Sequence, residues 1–134
     1  MLPAFDNEGN LPLGIHPCRL AELAERFGKG SPEREVEVQE LERFLEWAKR
    51  AGVRRVIING SFVTAKPAPN DVDVVILPGP GYPGDQATAD EANTVWPFLQ
   101  VLVAADEADL ENWATSDFGT DRDGRPKGVV EVIL

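Results

Sequence analysis

The stretch Arg55-Val-Ile-Ile-Asn59-Gly60-Ser61-Phe-Val-Thr-Ala-Lys66-Pro-Ala-Pro-Asn-Asp71-Val-Asp73-Val-Val-Ile-Leu77 decides how this chain is read. Val53–Asn59 is rich in β-branched residues and ends at a glycine, the pattern of a strand. Val72–Leu77 is almost continuous Val and Ile, which predicts a neighbouring strand covered on both faces. Side chains at i and i+2 of a strand share a face, with Cα atoms about 6–7 Å apart. Asp71 and Asp73 are therefore expected to stand side by side, with Val72 turned into the core. Such a pair suits hard Mg²⁺ (or Mn²⁺), completed by water and phosphate oxygens. Shared aspartates can also bridge the gap of about 3.5–4 Å in two-metal phosphoryl transfer. Two empty carboxylates this close repel, so a cation relieves the strain. Gly60 permits a sharp bend and a close approach to a ligand. Ser61 is expected to start a short helical turn through Phe62 and Val63, whose free N–H groups and hydroxyl face a phosphate. Lys66 can reach the same phosphates as a point charge.

Gly60-Ser61 followed ten residues later by Asp71-Val-Asp73, on consecutive predicted strands, resembles the signature of the DNA polymerase beta-type nucleotidyltransferase superfamily, in particular its minimal bacterial members. The resemblance covers residues 55–77, and the preceding helix and mixed-sheet pattern agree with the layout of that family. It implies Asp71 and Asp73 as catalytic metal ligands, and Gly60, Ser61 and Lys66 as nucleotide-binding residues. The implied reaction is Mg²⁺-dependent transfer of a nucleotidyl group from ATP or another nucleoside triphosphate to an acceptor hydroxyl, with pyrophosphate released. Minimal members of this kind often work in toxin–antitoxin pairs, and some modify a partner toxin protein. The resemblance also implies a third carboxylate on a later strand, here Phe98–Ala104. The polar residue of that strand is Gln100, which can ligate through its carbonyl but cannot accept a proton. Asp106 and Glu131 stand as substitutes. Positioned acid–base help is worth about 10²–10⁴-fold in rate. Two readings follow, an active enzyme, or a degenerate nucleotidyltransferase fold acting as an antitoxin-like or regulatory protein-binding partner.

The rest of the chain predicts a single α/β (α+β) domain over residues 1–134, a small mixed sheet with helices packed mainly on one face. Residues 1–15, rich in Pro, Gly and Asn, read as an extended N-terminal arm lying across the surface. Pro17 reads as the opening of a helix over Cys18–Phe27, with Leu20, Leu23, Ala24 and Phe27 on one face. Ser31 and Pro32 cap a second helix running to Gly52, with Val38, Leu41, Phe44, Leu45 and Ala48 at helical spacing. Asp85–Asn93 and Asp106–Trp113 read as shorter helices, and Phe98–Ala104 and Gly128–Leu134 as further strands. His16 has no acidic or thiol cluster beside it and reads as structural, as do Cys18 and the three tryptophans. Thr120–Lys127 reads either as a solvated hairpin or as a clamp in which Arg125 and Lys127 grip phosphates or a partner.

Composition sets the outer bounds. The chain has 134 residues, 43% of them apolar and 27% charged, which is ordinary for a globular protein. No apolar run reaches membrane-spanning length, and the first residues lack a signal-peptide pattern. With one cysteine no intrachain disulfide forms, which fits a cytoplasmic location. The formal charge of −10 repels phosphate backbones and argues against stable nucleic-acid binding. A nucleoside triphosphate remains compatible, since bound divalent metal reverses the local field, and the acidity favours a protein acceptor.

Overall fold

The computed structural model describes the chain from Met1 to Leu134 apart from Asp71, residues 92–95, Phe118 and Arg122, and leaves the side chains of Ser116 and Asp117 undescribed. Along the chain run β1 (Ile15–Arg19), α1 (Leu20–Phe27), α2 (Pro32–Ala51), β2 (Val53–Asn59), a 3₁₀ turn (Ser61–Val63), β3 (Val72–Pro78), α3 (Gln86–Glu91), β4 (Leu99–Val103), α4 (Glu107–Asn112), a π-type turn (Trp113–Asp117) and β5 (Val129–Ile133). The five strands form one mixed sheet in the order β1-β5-β2-β3-β4. β2 runs antiparallel to both β3 and β5, whereas β1 pairs parallel with β5 and β4 parallel with β3.

Local chemistry explains the elements that frame the site. The Ser31 hydroxyl accepts from the Arg34 N–H at 3.2 Å, and Pro32 occupies the first turn of α2. Gly52 ends that helix in the left-handed region at φ 82° and returns its N–H to the carbonyls of Ala48 and Lys49. The chain then enters β2 directly, because α2 buries Leu41, Phe44, Leu45 and Ala48 against the sheet.

Strand alternation divides the core. Val56, Ile58, Val72, Val74, Ile76, Val130 and Val132 face the layer containing α1 and α2. Ile57, Val75, Leu77 and Val129 face the opposite side, where Leu110 of α4 and Ala114 cover them. A strand covered on both faces has no reason to alternate apolar with polar residues, hence the runs Val56-Ile57-Ile58 in β2 and Val74-Val75-Ile76-Leu77 in β3. The mixed sheet and its α+β class are as expected, with α4 adding a small second layer.

Two expectations at the N-terminus are corrected. Ile15–Arg19 is a strand, so the helix starts at Leu20 and not at Pro17 or Cys18. β1 is an edge strand, where a proline without an N–H is tolerated. Residues before it do not simply lie across the surface. Leu2 and Leu11 are buried in the core, Phe5 packs against Phe27 with ring centroids 6.0 Å apart, and Arg26 donates to the Pro3 carbonyl at 2.9 Å. Of the expected helix Asp85–Asn93, the structure shows Gln86–Glu91, and its last two residues lie outside the described ones. Asp85 caps it, its carboxylate accepting from the Thr88 N–H at 2.8 Å. Among the described residues no helix is long and apolar enough to cross a membrane.

Candidate functional site

Register brings the two halves of the sequence pattern together. Asn59, the last residue of β2, pairs with Asp73 of β3, and Asp73 in turn pairs with Gln100 of β4. Paired residues on adjacent strands point to one face, with Cα atoms about 4.5–5.5 Å apart across an antiparallel pair. Asn59, Asp73 and Gln100 thus form a row across three strands, on the same face as Ile57 and Val75. The Gly60-Ser61 bend leaves β2 at the end of this row. Asp71, the other predicted metal ligand, lies outside the described residues.

Within the row, Asp73 is half-buried and Gln100 is exposed. Asn59 is only 5% exposed, and its Oδ1 is buried with no hydrogen-bond partner among the described residues. An unmet buried acceptor costs about 1–3 kcal/mol, and an apolar side chain would avoid that cost. Asn59 interrupts the run Val56-Ile57-Ile58 at the point where the sheet meets the bend.

The bend itself is unusual backbone. Gly60 adopts φ 88°, ψ −179°, a conformation essentially closed to residues with a Cβ. The 3₁₀ turn follows, with the Val63 N–H donating to the Gly60 carbonyl at 3.3 Å and the Thr64 N–H to the Ser61 carbonyl at 3.1 Å. Phe62 and Val63 are buried on the helical side, and the Thr64 hydroxyl also donates to the Ser61 carbonyl at 2.7 Å. Lys66 is exposed, and its N–H donates to the Thr64 hydroxyl at 3.2 Å. The N-terminal segment braces this loop from outside, the Ala65 N–H donating to the Gly9 carbonyl at 2.9 Å.

Arg34, which sequence reasoning passed over, holds the loop from within. The residue is 6% exposed, and its guanidinium donates to four carbonyls: Phe27 at 2.9 Å, and Phe62, Thr64 and Lys66 each at 2.7 Å. Burial pushes its pKa down, and the nearby Glu37 charge opposes that shift. One signal was available in the sequence. A cation in the first turn of a helix works against the helix dipole, so Arg34 needed a compensating set of acceptors.

Neither proposed substitute for a third carboxylate joins the row. Glu131 accepts from Arg55 Nε at 2.9 Å and Nη2 at 2.7 Å, and it pairs in register with Ile57, two residues from the end of β2. Arg55 also donates to Glu107 at 2.7 Å, and its pKa is raised chiefly by the hydrogen bond to Glu131. Asp106 lies beyond the far end of β4 and caps α4, accepting from the Asp109 N–H at 2.8 Å. Among the described residues no group of three or more His, Cys, Asp or Glu is placed to hold a metal ion.

His16 Nε2 lies 2.6 Å from the Pro12 carbonyl, and buried Cys18 has its thiol pKa pushed up to about 11, chiefly by desolvation. Arg125 pairs with Glu8 at 2.9 Å, and Asn10 donates to Asp121 at 3.1 Å, so Asp121 and Arg125 are held against the N-terminal turn. Lys127 is half-buried just ahead of β5, at the same end of the sheet as Gly60.

No curated protein and no solved structure matches the chain. A family match does run nearly end to end, taking in the bend, the row of Asn59, Asp73 and Gln100, and the Arg34 clamp alike. Over residues 3–133 the chain belongs to DUF6932, a family of unknown function.

Proposed function

We propose that this protein binds a nucleoside triphosphate with Mg²⁺ or Mn²⁺ in the manner of a minimal nucleotidyltransferase and passes the nucleotidyl group to an acceptor hydroxyl, most simply on a partner protein. The observation that carries the reading is the register of β2 against β3, which sets the Gly60-Ser61 bend beside Asp73. The donor set fits a hard cation, because Asn59, whose amide oxygen is buried and unmet, is the cross-strand register partner of Asp73. Asp73, with Asp71 by strand spacing, would hold the ion. When bound, the metal would neutralise phosphate charge and polarise the α-phosphorus for in-line attack. Gly60 leaves room for a phosphate against the backbone, and the Ser61 hydroxyl supplies a hydrogen bond. Lys66, exposed at the end of the clamped loop, adds a positive charge in a protein of net charge −10.

The test is incubation with α-labelled ATP, Mg²⁺ and candidate acceptor proteins. Label on a protein, lost in Asp73→Asn, is the expected result. Absence of transfer from every nucleoside triphosphate, or transfer that survives Asp71→Ala with Asp73→Ala, rejects the enzyme.

A second reading has its own support. Gln100 stands beside Asp73, Glu131 is bound to Arg55, and Asp106 caps a helix. A site without a proton acceptor would bind nucleotide and catalyse slowly or not at all, leaving a protein-binding role such as that of an antitoxin. It predicts a stable protein complex that survives Asp73→Asn.

A further inference from the structure

We propose that Asn59 is a metal-ligating residue, its amide oxygen standing beside Asp73 as a neutral ligand to the divalent cation. This rests on the metal-site reading above and extends it to a residue outside the Gly-Ser and Asp-x-Asp pattern. Three observations carry it. Asn59 is the direct register partner of Asp73 and shares its face of the sheet. Its Oδ1 is buried and has no hydrogen-bond partner among the described residues. It is a polar side chain that is 5% exposed at the end of a strand whose three preceding residues are fully buried and apolar.

Buried acceptors in native proteins are almost always met, and an exception calls for a ligand or a cost accepted for function. Neutral amide oxygens are ordinary partners of hard cations, alongside carboxylates. A carboxamide at this position adds an oxygen without adding charge. A further carboxylate here would instead add to the repulsion on Asp73 whenever the cation was absent. Gln100, on the other flank of Asp73, is exposed, so its oxygen can be satisfied by water. The buried oxygen of Asn59 has no such recourse.

The experiment uses Mn²⁺ alone as the probe, with affinity read by paramagnetic resonance and stability read by thermal unfolding with and without the ion. The proteins are the full chain, Asp73→Asn, Asn59→Leu and Asn59→Asp. Loss of an outer-shell partner already weakens metal sites about 10–100-fold. Asn59→Leu, nearly isosteric, is therefore expected to weaken Mn²⁺ at least about tenfold while the metal-free protein unfolds at the same or a higher temperature. Asn59→Asp is expected to do the reverse, with a lower metal-free midpoint, tighter Mn²⁺ and a larger upward shift on adding the ion. This second variant decides the matter if the leucine does not fold. Mn²⁺ binding that depends on Asp73 but is unchanged in the Asn59 variants overturns the assignment of Asn59 alone. Mn²⁺ binding that is absent, or equal in Asp73→Asn, overturns the metal site and Asn59 with it.

Discussion

The guanidinium of Arg34 and the carbonyl of Phe62 lie 2.7 Å apart, tying the first turn of α2 to the bend that follows β2. Two more bonds from the same group reach Thr64 and Lys66, so one side chain fixes the course of the loop. Removing it leaves carbonyls unmet in or near the core. Arg34→Met should lower stability by about 3 kcal/mol or more in a urea titration. Arg34→Lys keeps the charge without the planar fork and should recover less than half of that loss. Amide exchange over Phe62–Lys66 should rise in both. A loss under about 1 kcal/mol would show that water replaces the clamp.

Gly60 supports a narrower prediction. At φ 88°, ψ −179° a Cβ is strained, so Gly60→Ala should cost about 1–3 kcal/mol. If the bend seats phosphates, the same change should weaken Mg²⁺-ATP more than it weakens Mn²⁺ alone, as titration calorimetry can resolve. Equal weakening of both would move the bend's role from phosphate to metal.

Glu131 is placed by its partner. Its carboxylate is engaged at both oxygens by Arg55, which also keeps Glu107 at 2.7 Å. Glu131→Gln should therefore cost about 1 kcal/mol, in keeping with a partly exposed ion pair, and should leave Mn²⁺ affinity unchanged. A tenfold drop in that affinity would instead bring Glu131 into the metal site.

Cys18 sets an alkaline limit. Burial, helped by the charge of Glu22, raises its thiol pKa from 9.0 to about 11. A folded-state value above the unfolded one means that the neutral thiol favours the fold. That contribution is complete below about pH 9 and is lost as the pH rises toward 11. Cys18→Ser should flatten this part of the stability profile. Alkylation at pH 8 should be slow in buffer and rapid in urea.

Asp121 acts at the acid end. Its pKa is lowered from 3.8, first by the Arg125 backbone N–H and also by Asn10 and the Asp123 N–H. A depressed folded value means stability that is present above 3.8 and lost as the pH falls through the lower folded pKa. Asp121→Asn should lessen the decline of the thermal midpoint below about pH 4, and an unchanged acid limb would remove Asp121 from the causes of acid unfolding.

Local chemistry made much of the fold legible. Ser31-Pro32 and Gly52 bound α2 in the sequence as they do in the structure, because caps and turns are encoded within a few residues. The β-branched run Val53–Asn59 did the same for β2. β1 was missed for the opposite reason. Its pairing partner β5 begins at Val129, more than a hundred residues away, and Pro17 locally resembles a helix start. Gln100 was recognised as the polar residue of its strand, but only register places it next to Asp73.

By itself the sequence determined the mixed α/β character, the long capped helix and the Gly-Ser and Asp-x-Asp elements, since each is written in neighbouring residues. Tertiary structure alone decided that Asn59, Asp73 and Gln100 stand in one row, that Arg34 holds the loop, and that Glu131 belongs to Arg55. Those facts depend on strand register and on where a long side chain finds its acceptors. Both are fixed only when distant segments pack together and each buried polar group must find its partner.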